Sequence, residues 1–513
     1  MSLRPFTVVC LVAVAACGAK TGDGGATLRA DVVGDVTAET GPPRRALVEA
    51  TQQGLVAFDA EGQVVPALAT SWRIADNGLS IIFRLRRATW SDGRPVTAND
   101  VVTVFRRVMA PTSRNPMRLA LGGLENGMAV VAGTKPVTAL GVEAPVDNVV
   151  EIRLAAATPE LLQLLAQPDL AIVRGGPSPP AIGPFRIVDA ATRPISLRRN
   201  PTYHDAAAIT LGKITLMPLA DPGTAIARFA RDRTDIVTGA GIAGFGDARL
   251  LAATQALHVE PSWGVYGYVV NVSHGPLADI RVRRALAMAI ERDDLGSRLF
   301  GVALKPVLGM VPPGLPSEPV PALPDWALLA PAVRLDTARQ LLAAAGYSAT
   351  NPLTVTISLP PAREHAAVAA EAAADWARLG VRTLVVSRSA AQHALAVANG
   401  NFELALVERT AAADTPLFFL SPFTCAASSG GYCNPVADGL LGGAQISGDP
   451  VQRAATLGLA ETAMVADAPV IALFVPVRWS LVARRVTGWT DNVAGQHPLA
   501  RLGIAPGREV RSP

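Results

Sequence analysis

Cysteine is scarce in this chain, with four in 513 residues. Two of them, Cys10 and Cys17, lie near the N-terminus, leaving Cys425 and Cys433 for the rest of the chain. A metal site needs more ligands than two thiols, and no histidine lies near this pair. In an oxidising compartment, a disulfide closing the flexible loop between them is the expected state. Charge is also sparse, at 17% of residues, and the 46 basic and 42 acidic side chains give a net charge of only +4. The basic residues do not cluster among aromatics, which excludes a nucleic-acid-binding surface. The short run Arg281, Arg283 and Arg284 reads as a solvated helix face. Beyond the N-terminus no stretch of about twenty apolar residues occurs, so no membrane-spanning helix is expected. Catalytic signatures are missing as well. There is no Gly-x-Ser-x-Gly elbow, no His-Glu-x-x-His, no phosphate-binding glycine loop and no dinucleotide fingerprint. The six histidines, at 204, 258, 274, 365, 393 and 497, show no metal-ligand spacing. No enzyme, metal or cofactor is expected.

Half of the residues are apolar, enough for a globular chain, and the length suits two or three domains. The N-terminus reads as an export signal: a positive start to Arg4, an apolar run from Phe6 to Ala16, then small residues before Cys17. The ending Val14-Ala15-Ala16-Cys17 looks like a bacterial lipobox. The expectation is therefore a signal segment over 1–17, acylation of Cys17, a flexible tether over 18–26 and attachment to a membrane by lipid in the periplasm. Plain signal cleavage beside an incidental cysteine is the alternative.

The clearest local pattern runs from Gly54 to Met109. Asp59-Ala60-Glu61-Gly62 turns the chain between Leu55–Phe58 and Val64–Pro66. Asp76-Asn77-Gly78 separates a strand around Trp72 and Ile74 from one in which Leu79, Ile81, Phe83 and Leu85 alternate with other residues, a hairpin signal. After Asp92-Gly93-Arg94-Pro95, Thr97 with Asp100 forms a capping box for a helix whose Val101, Val104, Phe105, Val108 and Met109 recur at helical spacing. Further on, strands alternate with helices. Asp221 and Asp279 stand at helix N-caps, and Val368, Ala372, Trp376 and Leu379 share one helix face. Such alternation implies crossover units and a mixed sheet.

These motifs, in this order, resemble the bacterial extracellular solute-binding protein family 5, the oligopeptide-, dipeptide- and nickel-binding group. The resemblance rests first on Pro66-Ala67-Leu68-Ala69-Thr70-Ser71-Trp72, Asp76-Asn77-Gly78, Phe83-Arg84-Leu85-Arg86 and Asp92-Gly93-Arg94-Pro95-Val96-Thr97-Ala98-Asn99-Asp100-Val101. It continues through Gly183-Pro184-Phe185, Arg199-Asn200-Pro201-Thr202-Tyr203, the helix from Asp279 to Leu286, and Asn434-Pro435 with Asp438 and Leu440-Leu441. It implies an α/β, two-lobed periplasmic-binding-protein fold (type II, cluster C-like) with mixed sheets, two hinge crossings and an extra inserted domain. Lobe I is expected over 27–65, 181–264 and 478–513, the accessory domain over 66–180 and lobe II over 265–477. The crossings are expected near Trp263–Tyr268 and Val475–Trp479. The implied function is the binding component of an ATP-binding-cassette (ABC) importer: a monomer that captures a short peptide or other small solute between its lobes and delivers it to the permease and ATPase subunits. A transport-inactive sensor or scaffold, or a carrier of a metal chelate or sugar, is the alternative.

The implied pocket departs from the family pattern. Peptide binders of the family carry Gly-Trp-x-x-Asp after a buried strand, and the aspartate pairs with the peptide ammonium. With Asp414-Thr415-Pro416 matched to the following Asp-Pro region, Glu408 stands at the tryptophan position and Ala411 at the aspartate. An unpaired ammonium in a closed cleft is costly, so Glu408 or Asp414 would have to replace it. A solvent-exposed Glu408–Arg409 pair without a ligand role is the other reading. Gln53, where relatives often have Glu, and Tyr266 and Trp479, near the crossings, complete the candidate ligand-binding set.

Overall fold

The computed structural model describes residues 25–505 apart from 35–40, 116, 157, 177–178, 240, 252–254, 261, 318–319 and 412. Cys17 and the expected signal segment lie outside the described residues.

Two mixed sheets organise the chain. The first has seven strands in the spatial order Leu257–Glu260, Arg478–Val482, Ile236–Thr238, Ala26–Val33, Leu211–Leu219, Ile195–Arg199 and Phe185–Asp189. The strand Ala26–Val33 sits near the middle and runs parallel to both neighbours. Its Leu28, Ala30, Val32 and Val33 are all buried, as expected for a strand covered on both faces. The second sheet has five strands, in the order Arg382–Ser387, Thr354–Leu359, Leu404–Thr410, Gly264–Val270 and Val470–Phe474.

The two sheets are joined in two places by short connections. Leu257–Glu260 in the first sheet is followed directly by Gly264–Val270 in the second. Val470–Phe474 in the second is followed directly by Arg478–Val482 in the first. This gives two lobes with paired crossings, and Trp263 is the last residue of the first crossing. One hydrophobic core runs across the joint, bringing Ile242, Phe245 and Leu481 together with Tyr266, Leu406 and Phe474. The lobes are therefore packed on each other beside the hinge.

A separate four-stranded antiparallel sheet, Ala69–Ala75, Ser80–Leu85, Val149–Arg153 and Val142–Val146, carries the helix Ala98–Met109. The Asp100 carboxylate accepts the Thr97 backbone N–H at 2.9 Å, completing the expected capping box. Val101, Val104, Phe105, Val108 and Met109 all face this domain's core. Leu79 departs from the expected alternation. The strand begins at Ser80, so Leu79 still belongs to the turn and is 41% exposed, whereas the Ser80 hydroxyl is buried and donates to Glu151 at 2.9 Å.

Asp221 and Asp279 cap their helices as expected, accepting backbone N–H groups from Thr224 and Arg281, each at 2.8 Å. The arginine run after Asp279 is not uniformly a solvated face. Arg281 and Arg284 pair with Asp279 and Asp325, but Arg283 is buried and donates to the carbonyls of Leu277, Ala278 and Asp467. Helical spacing turns the middle residue of this run toward the core. The proline-rich excursion after Lys305 is fixed by Glu461. This buried carboxylate accepts the N–H groups of Met310 at 3.1 Å and of Val311 and Ala322 at 2.8 Å. Cys425 and Cys433 form a disulfide.

Candidate ligand site between the two lobes

The strand Leu404–Thr410 carries the candidate site. Leu404, Ala405 and Leu406 are buried, so hydrophobic burial fixes the register, and the polar Glu408 and Arg409 emerge at the end that meets lobe I. Tyr266 stands directly opposite Glu408 on the neighbouring strand. Its ring is fully buried and stacks on Phe474, with centroids 4.5 Å apart. Its hydroxyl shares a 3.0 Å hydrogen bond with His365 Nδ1. Burial pushes His365 down to about 4 and, more weakly, the His393 charge acts the same way, so the imidazole is neutral near pH 7.

Glu408 reaches across to lobe I, where the Ile242 N–H donates to its carboxylate. Burial of the charged form pushes this carboxyl up to about 7 despite that hydrogen bond. Gly241 is required here on two counts. Its φ of +57° is unfavourable for other residues, and a Cβ would lie 2.7 Å and 2.9 Å from the two Glu408 carboxylate oxygens. Trp479 holds the same loop from lobe I: it is buried, and its indole N–H donates to the Ala243 carbonyl at 3.3 Å. Tyr266, Glu408 and Trp479 thus gather around residues 241–243.

The other candidates lie apart. Strand alternation puts Arg409 on the opposite face from Glu408, where its guanidinium lies 5.8 Å from the centre of the Phe423 ring. Burial lowers it to about 10, and no carboxylate among the described residues offsets that. The solvent-exposed Glu408–Arg409 pair is therefore not present. Asp414 uses its backbone N–H to reach Gln163 Oε1 at 2.8 Å, while its carboxylate accepts the Ser317 N–H at 2.9 Å. Gln53 pairs its backbone with Ile172, and its side chain donates to the Tyr203 hydroxyl at 3.4 Å. Among the described residues no group of three or more His, Cys, Asp or Glu could hold a metal ion, and no helix is long and apolar enough to cross a membrane.

Residues 63–431 match the family model for bacterial extracellular solute-binding proteins, family 5. The chain belongs to this family. Among the family 5 relatives, the periplasmic oligopeptide-binding protein OppA of Escherichia coli (strain K12) is 27% identical over 465 residues, covering 87% of this chain and 85% of OppA. The probable deoxycholate-binding periplasmic protein YgiS of the same strain is 29% identical over 448 residues, covering 82% of each. The solved structure of Burkholderia pseudomallei OppA superposes with a TM-score of 0.85 at 26% identity, covering 94% of this chain and all of that one.

Sequence reasoning did not single out several residues at this contact between the lobes. Gly241 and Ile242 carry no side-chain chemistry, and their role depends wholly on the other lobe approaching. His365 gave a weak signal as one of six scattered histidines; only the packing of its helix against the second sheet brings it to Tyr266. Gln163, which holds the Asp414 backbone, comes from the helix Leu161–Leu165, packed in the core beside the four-stranded sheet some 250 positions earlier.

Proposed function

We propose that this protein is the substrate-binding component of an ABC importer, capturing a peptide or a solute of similar size between its lobes and handing it to a membrane permease and its ATPase. The observation that carries this reading is the pair of short crossings between two sheets, with the end of Leu404–Thr410 in contact with residues 241–242 of the opposite lobe. Such an arrangement can open and close about the crossings, and a ligand that binds the closed form better shifts the equilibrium toward it. Membership of a binding-protein family, with similarity over 85% of the length of OppA, supports the same reading. In this proposal lobe I comprises 27–65, 181–264 and 478–513, the accessory domain 66–180 and lobe II 265–477. Tyr266, Glu408, Arg409, Asp414, Gln53 and Trp479 line or support the cleft. The chain acts as a periplasmic monomer tethered by lipid on Cys17.

A non-peptide ligand is the second reading, and a specific observation favours it. Asp414 and Glu408, the two carboxylates that could receive a peptide ammonium, are already engaged by backbone N–H groups. One relative is also named for deoxycholate. Native mass spectrometry of protein purified without refolding identifies what co-purifies. A melting-point screen with di- to pentapeptides, bile acids and sugars then follows. Ligand at a hundred times its dissociation constant adds about 2.7 kcal/mol to the stability of the protein. A peptide that raises the melting point supports the first reading. A response confined to non-peptides replaces it with the second. No response to any solute, with nothing co-purifying, removes both.

A further inference from the structure

A cavity of about 570 Å3 lies between the helix Pro42–Thr51 and the helix Ala98–Met109 of the accessory domain. All its described lining residues fall between Arg44 and Pro179, with none from lobe II among them, which sets the cavity apart from the interlobe site. Among the described residues four guanidinium groups line it, those of Arg44, Arg45, Arg107 and Arg174, against one lining carboxylate, Asp169. Arg45 is paired with Asp169 at 3.0 Å and donates to Gln167 Oε1 at 2.7 Å. Arg174 lies 5.6 Å from the centre of the Trp90 ring and only loosely near Asp92 and Asp100, at 3.8 and 3.9 Å. Arg107 donates to the Val173 carbonyl at 3.0 Å and has no carboxylate partner among the described residues. Arg44 is exposed and makes no hydrogen bond or ion pair to any described residue.

This placement is electrostatically unfavourable for the protein alone. Arg44 and Arg45 occupy the first turn of their helix, which has no acidic residue there, so two cations sit at the positive end of the helix dipole. The helix terminus is not itself the attraction for an anion, because Pro42 and Pro43 lack N–H groups. The guanidinium forks are the relevant chemistry, since each presents paired donors matched to the oxygens of a phosphate or carboxylate. Four of them around one cavity, from two domains, would share a ligand with several negative oxygens.

We propose that this cavity binds a small multivalent oxyanion, a phosphate compound or a polycarboxylate, which bridges the accessory domain to lobe I. The proposal is independent of what the interlobe cleft carries. It is tested by isothermal titration of the full-length protein with pyrophosphate and, separately, with citrate at low salt. The titrations are repeated on Arg44→Ala/Arg107→Ala and on Arg409→Ala. The expected result is one site for at least one probe, weakened by added salt and at least about tenfold weaker in the double variant, with Arg409→Ala unchanged. Binding of pyrophosphate alone assigns the phosphate class, and of citrate alone the polycarboxylate class. No heat with either probe overturns the proposal, as does binding that survives the double variant or is lost in Arg409→Ala. An Arg44→Gln/Arg107→Gln pair gives the same comparison if the alanine pair loses its native melting transition.

Discussion

Glu408 should make the stability of the native protein depend on pH, and the sign follows from its surroundings. Its carboxyl has an ordinary value of 4.5 and is pushed up to about 7 where it is buried against residues 241–242. Between those two values the native protein holds a proton that the unfolded chain has released. The contribution is therefore fully present below pH 4.5, declines as pH rises, and is gone above about 7. Between pH 5 and pH 8 such a shift corresponds to about 2 kcal/mol. Other groups also titrate in this range. Glu49 is pushed up to about 7 by burial and acts in the same direction, while His204 and His365, held down to about 4, favour the native state above pH 6.5 and lose that contribution as pH falls. The wild-type profile is thus a sum, and the Glu408→Gln variant isolates one part of it. Glutamine keeps an oxygen for the Ile242 N–H and removes the titration. Calorimetric melting of both proteins from pH 5 to pH 8 should show similar stability at the acid end and a variant more stable by about 2 kcal/mol at pH 8. A constant separation between the two curves across that range would refute the reasoning.

Gly241→Ala should force the Glu408 carboxylate away, because the new Cβ would lie 2.7 Å from one of its oxygens and the backbone keeps a φ of +57°. The cost is about 1–3 kcal/mol, and small-angle scattering of the ligand-free variant should show a more open molecule; unchanged scattering and melting would count against the contact. Arg453 and Glu160 form a 2.6 Å ion pair with side chains only 11% and 7% exposed, joining the helix Pro450–Asp467 to the start of the helix Leu161–Leu165. Arg453→Met strands a buried carboxylate and should destabilise by about 3–5 kcal/mol in urea unfolding, whereas Glu160→Leu/Arg453→Met should recover most of the loss. Replacing Cys425 and Cys433 by serine opens a loop of sequence separation 8. The expected loss of roughly 2–3 kcal/mol should vanish when wild type is compared under reducing conditions.

How far the sequence could be read depended on the range of the interactions involved. The capping box at Thr97 and Asp100, the turn at Asp59–Gly62 and the apolar face through Val368, Ala372 and Trp376 are local, set by residues within a few positions of each other. They were legible, and with them the family and its fold. The arginine run misled in part because periodicity identifies a buried face only when the neighbouring element is known. Arg283 is satisfied by a carbonyl at Asp467, 184 positions away. The site was less legible for the same reason. Glu408 could be singled out as a departure from the family's motif, but not its partner, since Ile242 offers only a backbone N–H.

The sequence by itself determined the elements, their order and the family, because hydrophobic periodicity, caps and turns are encoded over short distances. Only the tertiary structure decided that Glu408 meets the backbone N–H of Ile242, that Asp414 is already engaged by Ser317, and that arginines from two domains surround one cavity. Those facts depend on which distant segments pack together. Burial, charge and hydrogen bonding at a cleft are properties of that packing rather than of any stretch of chain.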